Sequence, residues 1–500
     1  MATGEPIREV VIVGGGTAGW MTAAAIARFA GPGRRIRLIE SEAIGIVGVG
    51  EGTIPPILEF NKQVGLDEQA FIRETRATYK LGIEFVGWSK EGERYFHPFG
   101  RIGRTYDGVD FHHLWRKYRE HPSVGPLIAY TISAVAGLNG RFSHPSPDIR
   151  SPLADLSYAF HFDASLYGQF LRRHAEARGV ERVEGRIVDV ERDPETGHVR
   201  AVRLDDDRRV EGELFVDCSG FRSLLLGQAM GVEFDDWSHW LPCDRAIAVP
   251  SERTEPLLPF TRATARPSGW QWRIPLQHRI GNGHVYSSAH MEEEEAERLL
   301  VEGLDGKPIG GFNHIRFTAG RRAKSWAGNV IAIGLSSGFL EPLESTSIHL
   351  IQHGIQKLVA LFPDSSFDPV AVAEYNRSFS EMYDSVRDFI ILHYKVNQRS
   401  GPFWSQVREM EVPDSLAHKL SLFADRGRFF RYHDDLFELA SWTAVMLGQG
   451  LIPKSWDPLL DSLKDEEVLR AMADLRAGYH KAASTMETHA DIIARIAGAR

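Results

Sequence analysis

A glycine-rich turn between a short apolar strand and an alanine-rich helix constrains this sequence more than any other feature. Residues 10–13 read Val-Val-Ile-Val, residues 14–19 read Gly-Gly-Gly-Thr-Ala-Gly, and the stretch 18–30 is rich in alanine. These patterns predict a buried strand, a tight turn and a helix, and residues 35–40 predict the next strand. Because such β-α-β units build parallel sheets, the sequence predicts an α/β fold.

The turn fits the pattern G-x-G-x-x-G of dinucleotide-binding sites. Gly14 permits the tight turn, Gly16 lets the backbone approach a pyrophosphate, and Gly19 lets the helix and the strand pack closely. The start of the helix then faces the anion, and Glu40 at the end of the next strand can accept a hydrogen bond from a ribose hydroxyl. The predicted dinucleotide-binding residues are Gly14, Gly16, Thr17, Ala18, Gly19 and Glu40.

Further segments favour FAD over NAD as the dinucleotide. Residues 48–55 (Gly-Val-Gly-Glu-Gly-Thr-Ile-Pro) and 217–220 (Asp-Cys-Ser-Gly) look like elements of FAD monooxygenases, although each of them alone fits an ordinary loop equally well. The cofactor module would be discontinuous in sequence, because later segments also have strand and helix patterns: 164–178, 186–190, 199–204, 214–216, 329–333 and 348–362. We add Val49, Glu51 and Ile187 to the predicted flavin contacts.

The composition excludes several other classes of protein. The 500 residues are 43% hydrophobic and 25% charged, as expected for a folded globular chain, and the formal charge is -9. A negative chain lacks the basic field that attracts phosphate backbones, so we expect no nucleic-acid partner. Two cysteines, a start unlike a signal peptide and the absence of a long apolar stretch predict a cytoplasmic protein without a membrane segment.

Four motifs further along the chain make the prediction more specific. Residues 269–275 read Gly-Trp-Gln-Trp-Arg-Ile-Pro, which contains W-x-W-x-I-P. The others are Tyr-Lys-Leu-Gly-Ile at 79–83, His-Pro-Phe-Gly at 97–100, and Leu-Glu-Pro-Leu-Glu-Ser-Thr-Ser-Ile at 340–348. In their identity and order these motifs resemble the flavin-dependent halogenases of the tryptophan halogenase family, and the likeness weakens only after about residue 400.

The resemblance implies how the chain is organised. Residues 1–368 would form an FAD-binding, Rossmann-like flavin monooxygenase module, with inserted substrate segments at about 80–150 and 230–320. The remainder, 369–500, would be a mainly helical substrate-binding region, and its sequence has helical patterns interrupted by Gly-Pro and Asp-Pro pairs.

The resemblance also assigns chemistry to two residues. Lys80 matches the family's catalytic lysine. In such enzymes reduced FAD and oxygen give a flavin hydroperoxide, a halide attacks it, and the resulting hypohalous acid is guided to the lysine. An ammonium group would hydrogen-bond that acid, whereas a neutral amine would form a haloamine, and the sequence leaves both open. Glu344 matches the second acid, which would stabilise and then deprotonate the cationic ring intermediate.

Residues near Glu344 match the halide and flavin contacts of the family. Thr346 and Ser347 fall where family members bind the halide, and amide N–H groups before a helix suit an anion. Leu335 and Ile348 match positions that contact the flavin. Many tryptophan halogenases have glycine in place of Ser347, so the choice between chloride and bromide stays open.

The substrate side resembles the family in one part and departs from it in another. His97, Pro98 and Phe99 match the substrate pocket, while Trp270 and Trp272 would lie on one face of a strand and either wall a passage or fill a core. Residues 441–443 (Ser-Trp-Thr) stand where halogenases of free tryptophan have a tyrosine pair that holds the amino-acid end. The resemblance therefore implies indole or another electron-rich aromatic as substrate, and a separate flavin reductase that supplies FADH2 by diffusion.

Two other functions fit parts of the pattern. A single-component flavin hydroxylase would have the same FAD fingerprint but would bind NAD(P)H itself, and the sequence has no second nucleotide fingerprint. A non-catalytic FAD-binding protein would keep the scaffold, and the presence of both Lys80 and Glu344 argues against that alternative.

Overall fold

A computed structural model describes residues 4–31, 33–44, 50–432 and 435–498. The chain forms two compact units, and it passes between them several times. The first unit comprises Met1–Arg76, Phe162–Pro242 and Phe317–Asp384. The second comprises Ala77–His161, Cys243–Arg316 and Ser385–Arg500.

The secondary structure mixes helices and short strands throughout the chain. The helices are α1 (Thr17–Phe29), α2 (Pro56–Val64), α3 (Glu68–Glu74), α4 (Phe111–Tyr118), α5 (Ile132–Leu138), α6 (Ala164–Glu176), α7 (Glu293–Glu302), α8 (Ser347–Ala360), α9 (Pro369–Lys395), α10 (Pro402–Glu409), α11 (Asp414–Arg426), α12 (Leu439–Gly448), α13 (Asp465–Ser484) and α14 (His489–Gly498). None of them, in the part of the chain that is described, is long and apolar enough to cross a membrane.

The strands in chain order are β1 (Glu9–Val13), β2 (Arg35–Glu40), β3 (Gly50–Gly52), β4 (Thr78–Lys80), β5 (Gly82–Val86), β6 (Arg94–Pro98), β7 (Arg141–Phe142), β8 (Ala159–Asp163), β9 (Glu181–Glu184), β10 (Ile187–Arg192), β11 (Val199–Leu204), β12 (Arg209–Glu211), β13 (Leu214–Asp217), β14 (Phe234–Asp236), β15 (Arg245–Ser251), β16 (Thr261–Arg266), β17 (Gly269–Pro275), β18 (Ile280–Tyr286), β19 (Asn313–Arg316), β20 (Gly320–Arg322), β21 (Trp326–Ala327), β22 (Val330–Ala332), β23 (Gly338–Phe339) and β24 (Glu487–Thr488).

The first unit is built on a six-stranded sheet with the order β21-β22-β13-β1-β2-β9. The strands from β22 to β9 are parallel, and only the edge strand β21 is antiparallel to its neighbour. The predicted β-α-β unit is confirmed, because α1 connects the adjacent parallel strands β1 and β2. Helices α6 and α8 both pack against α1.

The opposite face of this sheet is covered by a three-stranded antiparallel sheet, β10-β11-β12. Two of the strands predicted from the sequence, near 186–190 and 199–204, belong to this second layer and not to the parallel sheet. Val11 and Val13 of β1 pack in one cluster with Val199 and Val202 of β11. The sheet is therefore buried on both faces, which explains why β1 reads as a continuous apolar run.

Asn329 ties the antiparallel layer to the parallel sheet. Its side chain is 3% exposed. The Oδ1 atom accepts from the amide of Val199 at 2.9 Å, and Nδ2 donates to the carbonyl oxygens of Val199 at 2.8 Å and Glu213 at 3.0 Å. One carboxamide thus satisfies three backbone groups at the junction of the two layers.

The second unit contains a seven-stranded sheet with the order β19-β15-β18-β17-β16-β5-β6, in which β16 and β5 are the one parallel pair that the described residues show. The sequence predicts the strand around residues 269–275 but not this sheet as a whole. Strands such as β16 (Thr-Arg-Ala-Thr-Ala-Arg) alternate alanine with polar residues, so they lack the apolar run of a typical buried strand.

An aromatic core fills one side of the second unit. Trp88 lies with its ring centroid 5.5 Å from Trp404 and 6.4 Å from Trp270, while the Phe85 ring stacks on Tyr95 at 4.8 Å. His393 on α9 contacts Phe85 at 5.0 Å between centroids. Such rings bury much apolar area per residue, which stabilises a unit in which strands such as β16 contribute few large apolar side chains.

Replacing Asn329 with alanine should lower the free energy of unfolding by about 3 kcal/mol, because it leaves the amide and carbonyl of Val199 buried without partners. Equilibrium urea unfolding measures the change. The matched control is Asn313→Ala on the exposed edge strand β19, where we expect a loss below about 0.5 kcal/mol. Equal losses in the two variants would contradict the role of Asn329.

Candidate active site

The glycine turn of the first unit is fixed by backbone packing. A side chain at Gly14, whose φ is 112°, would meet the carbonyl oxygen of Cys218 at 2.2 Å, and one at Gly19 would meet the carbonyl oxygen of Gly14 at 1.8 Å. At Gly16, in contrast, an added Cβ would meet no atom within 4 Å. Gly14 and Gly19 are thus required by the fold, whereas Gly16 is the N-cap residue of α1 and packing does not require a glycine there.

The carboxylate of Glu40 lies beside this turn. It accepts hydrogen bonds from the indole nitrogen of Trp20 at 3.2 Å and from the guanidinium groups of Arg182 and Arg172. A side chain at Gly15 would collide with Glu40, so that glycine too is required by packing. Thr17 and Ala18 form the first turn of α1, as predicted.

The carboxylate of Asp217, at the end of β13, holds the loop that follows this strand. Asp217 is 0% exposed. Its Oδ1 atom accepts from the amide and hydroxyl of Ser219 at 3.0 and 2.6 Å, and Oδ2 accepts from the amides of Leu225 and Leu226 at 2.8 and 2.9 Å. Those four bonds use its acceptor sites fully, so its role in this unit is to hold the strand-to-loop transition after β13.

The other predicted flavin contacts in this part of the chain have different surroundings. Desolvation raises the pKa of Glu51 on β3 to about 7. Ile187 begins β10 and packs, partly buried, against the apolar cluster under the parallel sheet. Val49 lies outside the described residues.

The segment that precedes α8 reaches the glycine turn. Gly334 has a φ of 80°, and a side chain there would meet Cβ of Ala18 at 2.9 Å and Ile351 of α8 at 3.4 Å. Leu335, next in the chain, is partly buried. The structure thus brings the predicted flavin contacts Ala18, Leu335 and Ile348 into one region of the first unit.

Buried polar groups surround the start of α8. Glu344 ends a short 3-10 turn and is 0% exposed, and Ser345 follows with a φ of 58°. Thr346 caps the helix, and its hydroxyl is buried and has no hydrogen-bond partner within the described residues. Ser347 is the first helical residue. The two amide groups here belong to a helix N-terminus, where the backbone favours an anion.

His349, one turn further along α8, was not singled out from the sequence. Both of its ring nitrogens are buried and lack hydrogen-bond partners among the residues described. Burial, and to a lesser extent the neighbouring His353, lowers the pKa of His349 to about 3, so the ring is neutral near pH 7. Since isolated histidines in apolar patterns are common core residues, the sequence alone gives no signal for it.

Lys80 ends β4 in the second unit and is 0% exposed. Its Nζ atom lies 5.2 Å from the centroid of the Phe99 ring, a cation–π distance. The strand is paired with β8, with Lys80 opposite Ala159. Of the predicted site residues, Lys80 and Phe99 are therefore brought together.

Two histidines that the sequence analysis missed hold the strand of Lys80. His161 is buried between Thr78, at 3.1 Å from Nδ1, and Thr261, at 2.9 Å from Nε2. The Thr78 hydroxyl donates to the carbonyl of Pro275, so Nδ1 of His161 must donate to Thr78 and Nε2 must accept. Burial and then the charge of Lys80 lower the pKa of His161 far below its usual value, which keeps the ring neutral.

His489 at the start of α14 holds the next residue of the same strand. The amide of Tyr79 donates to Nε2 of His489 at 3.1 Å, so Nδ1 must carry the proton that it donates to the carbonyl of Leu257 at 2.8 Å. The ring of Tyr79 stacks on Phe142 at 3.8 Å. The sequence does not identify His161 or His489 as neighbours of this strand, because the residues that they hold, Thr78 and Tyr79, are 83 and 410 positions away.

The predicted substrate residues lie among aromatic rings. His97 is 2% exposed and its ring centroid lies 5.7 Å from Phe389, which in turn stacks on Phe437 at 3.8 Å and contacts Trp442 at 5.2 Å. Pro98 pairs with Gly82 in the sheet. Trp270 and Trp272 do share a face, with centroids 6.0 Å apart, and Trp270 belongs to the aromatic core described above.

These features define a class of protein: an α/β enzyme with a dinucleotide cradle on a parallel sheet and a buried lysine beside aromatic rings. The sequence matches the tryptophan halogenase family over residues 9–465. The chain therefore belongs to this family, and it is a flavin-dependent halogenase.

Individual members of the family are similar to this chain over nearly its whole length. The tryptophan 6-halogenase SttH of Streptomyces toxytricini is 37% identical over 480 residues, 90% of this chain and 91% of the relative. The structure of BrvH, a flavin-dependent halogenase from Brevundimonas sp. BAL3, superposes with a TM-score of 0.94 at 48% identity, covering 98% of this chain and 99% of that one. A flavin-dependent halogenase from Xanthomonas campestris gives 0.96 at 43% identity, covering 99% of each chain. The predicted family and the Rossmann-like flavin monooxygenase fold are confirmed.

Acid should destabilise the protein partly through His489, whose pKa is lowered by burial to about 4. Because the unfolded imidazole has a pKa of about 6.5, protons bind the unfolded state preferentially between those values, and stability is lost as the pH falls. In His489→Gln, which keeps a donor and an acceptor, the fall in unfolding free energy should be shallower by about 1.4 kcal/mol per pH unit.

Urea unfolding at several pH values between about 7 and about 4 measures this slope. The control is His480→Gln, a solvent-exposed histidine on α13, which should leave the slope unchanged. An unchanged slope in His489→Gln would exclude His489 as a buried neutral histidine.

Proposed function

We propose that this halogenase binds FAD in its first unit, receives it reduced from a separate flavin reductase, and halogenates an electron-rich aromatic such as indole. The observation that carries the proposal is Lys80, a lysine with 0% exposure whose ammonium lies 5.2 Å from the Phe99 ring. Burying a charged lysine is unfavourable, so its position beside aromatic rings indicates a functional role.

The first unit fits FAD. Gly16 offers open space at the N-terminus of α1 for the pyrophosphate, Glu40 lies at the end of β2 for the ribose, and Leu335 and Ile348 border the same region for the ring system. Bound flavin, reduced and exposed to oxygen, supplies the oxidising equivalent that converts a halide to hypohalous acid.

Thr346 and Ser347 are proposed to hold the halide. The hydroxyl of Thr346 is a buried donor without a partner in the described chain, and the amides at the start of α8 point their partial positive charge the same way. The neutral state of His349, one turn away, adds no positive charge that would hold the anion too tightly to react.

Lys80 is proposed to bind the hypohalous acid and present its halogen to the ring. As an ammonium it donates a hydrogen bond to the oxygen and polarises the O–halogen bond, and as a neutral amine it takes the halogen as a haloamine. In both forms the exclusion of water at this buried position strengthens the interaction.

Glu344 is proposed to stabilise the cationic ring intermediate and then accept the proton from the halogenated carbon. Its carboxyl group is fully buried, where a negative charge stabilises a developing positive charge more than it would in water. The ring regains its aromaticity when that proton leaves.

The residues near Trp442 favour an uncharged ring over a free amino acid. The buried ammonium of Lys419 lies 4.7 Å from the Trp442 ring, but it is already paired with the carboxylate of Asp435 at 2.7 Å. It therefore has no charge to spare for a substrate carboxylate. Phe389 and Phe437 offer apolar ring faces that suit indole.

Lys80→Ala should still consume FADH2 but should give at least about 100-fold less halogenated indole, because the oxidant forms without being presented to the ring. Mass spectrometry of indole with reductase, NADH, FAD, oxygen and chloride or bromide measures the product. The control Lys90→Ala, at an exposed position of the same unit, should form as much halogenated indole as the wild type. Normal halogenation by Lys80→Ala would refute the assignment, and NADH oxidation without added reductase would indicate a hydroxylase instead.

Glu344→Gln should bind FAD as the wild type does and should form product about 100-fold more slowly, because the amide cannot accept the ring proton. Flavin fluorescence measures binding, and mass spectrometry measures the rate. Glu59→Gln, exposed on α2, is the matched control for charge in the same unit. Loss of FAD binding by Glu344→Gln would show a structural role in place of the catalytic one.

A further inference from the structure

A cleft of about 220 Å³ lies on the seven-stranded sheet of the second unit and is lined by four arginines. Arg94, Arg262, Arg266 and Arg273 come from β6, β16 and β17. The register explains how they meet: Arg262 is directly opposite Arg273, and β16 alternates so that Arg262, Thr264 and Arg266 project to the same side.

Only part of this positive charge is neutralised. Glu84 pairs with Arg94 at 3.0 Å and with Arg262 at 2.7 Å, and Asp305 pairs with Arg273. Arg266 has no carboxylate within ion-pair distance in the described chain, and its guanidinium donates to the amide oxygen of Gln271 instead. Glu302 attracts it from beyond ion-pair distance, but that carboxylate is itself paired with Arg298. Four arginines against two carboxylates leave about two uncompensated positive charges.

A fifth arginine adds to the excess. Arg399 is half-buried, stacks over Trp404 at 5.0 Å and donates to the carbonyl of Gly87. No ion pair joins it to a carboxylate in the described chain, and Glu91 acts on it only at longer range. Burial lowers the pKa of the Arg266 guanidinium, Glu302 opposes this, and the charge of Arg399 lowers it further. Like charges gathered in a partly desolvated place raise the free energy of the fold unless an anion joins them.

The excess is local. The whole chain carries a formal charge of -9, so a positive cleft does not follow from its composition. Neither the flavin cradle nor Lys80 uses any of these arginines. A positive cluster on a chain that is negative overall is typical of an anion-binding site.

We infer that this cleft binds the phosphoryl group of a small ligand. Guanidinium groups present paired N–H donors that match phosphate oxygens, and Thr264 and Gln271 add polar groups in the same cleft. A phosphate monoester carries close to two negative charges near pH 7, which matches the two unpaired positive charges, whereas a single carboxylate would neutralise one. A cleft of 220 Å³ accepts a phosphoryl group and a few attached atoms, but it is too small for a whole dinucleotide.

The test is isothermal titration calorimetry on the full chain saturated with FAD, which keeps the probe out of the flavin pyrophosphate site. The buffer is free of halide, because halide anions would compete. Inorganic phosphate and glycerol 3-phosphate are the phosphate probes, and acetate and malonate are the carboxylate probes. We expect the phosphate probes to bind at least about 10-fold more tightly than acetate and to weaken as the salt concentration rises.

Three variants that each remove one positive charge locate the site. Arg266→Gln and Arg94→Gln should weaken phosphate binding about 10-fold, whereas Arg470→Gln, at an exposed position on α13, should leave it unchanged. Arg94 is 57% exposed and its loss leaves Glu84 paired with Arg262, so this variant should fold even if Arg266→Gln does not. Tighter binding of glycerol 3-phosphate than of inorganic phosphate would identify a phosphate monoester, and the reverse would identify free phosphate.

Three results would overturn the inference. The first is that neither phosphate probe binds at millimolar concentration, and the second is that malonate binds as tightly as phosphate. The third is that Arg94→Gln and Arg266→Gln bind phosphate as tightly as Arg470→Gln does. Because halogenation is measured separately, failure of this site would leave the proposed function standing, and failure of the Lys80 test would leave this inference standing.

Discussion

The first unit depends on a contact between backbones at the turn from β1 to α1. Gly19 packs against the carbonyl of Gly14, and Gly14 packs against the carbonyl of Cys218 at the end of β13. No side chain fits at either place, so the helix lies directly on the sheet and its N-terminus lies at the carboxyl end of the central strands. Asp217, next to Cys218, then fixes the loop that follows β13 through four hydrogen bonds. The shape of the glycine turn is a result of this close packing.

The second unit meets a different constraint, since it has to keep a lysine buried. Lys80 lies on a three-residue strand, too short to be rigid by its ladder alone. His161 binds the side chain of Thr78 and His489 binds the amide of Tyr79, so two remote parts of the sequence hold the two residues that precede Lys80. Both imidazoles are kept neutral by burial, which spares the ammonium further repulsion. Acid would charge both rings and loosen the strand that carries the lysine.

The parts of this architecture that were predictable from sequence are those with local causes. The glycine turn is recognisable because sterics forbid any side chain at Gly14 and Gly19, and the family motifs are recognisable because their spacing is short. His161 and His489 were not predictable, because their partners are remote in sequence. The seven-stranded sheet was missed for another reason: β16 places arginine and threonine where a buried strand usually has apolar residues. Those arginine and threonine side chains line a cleft.

Strand β17 shows why one motif can serve two purposes. The alternation of a strand sends Trp270 into the aromatic core, where it contacts Trp88, and sends Gln271 and Arg273 to the opposite face, where they line the arginine cleft. The tryptophan positions are therefore restricted by packing, and the intervening residues by charge. Trp272 contacts Trp270 and also lines the cleft, so a substitution that alters the strand twist would disturb both faces together. The two tryptophans of the W-x-W pattern indicate the apolar face of that strand. The chemistry of the opposite face is set by the residues between and after them, Gln271 and Arg273.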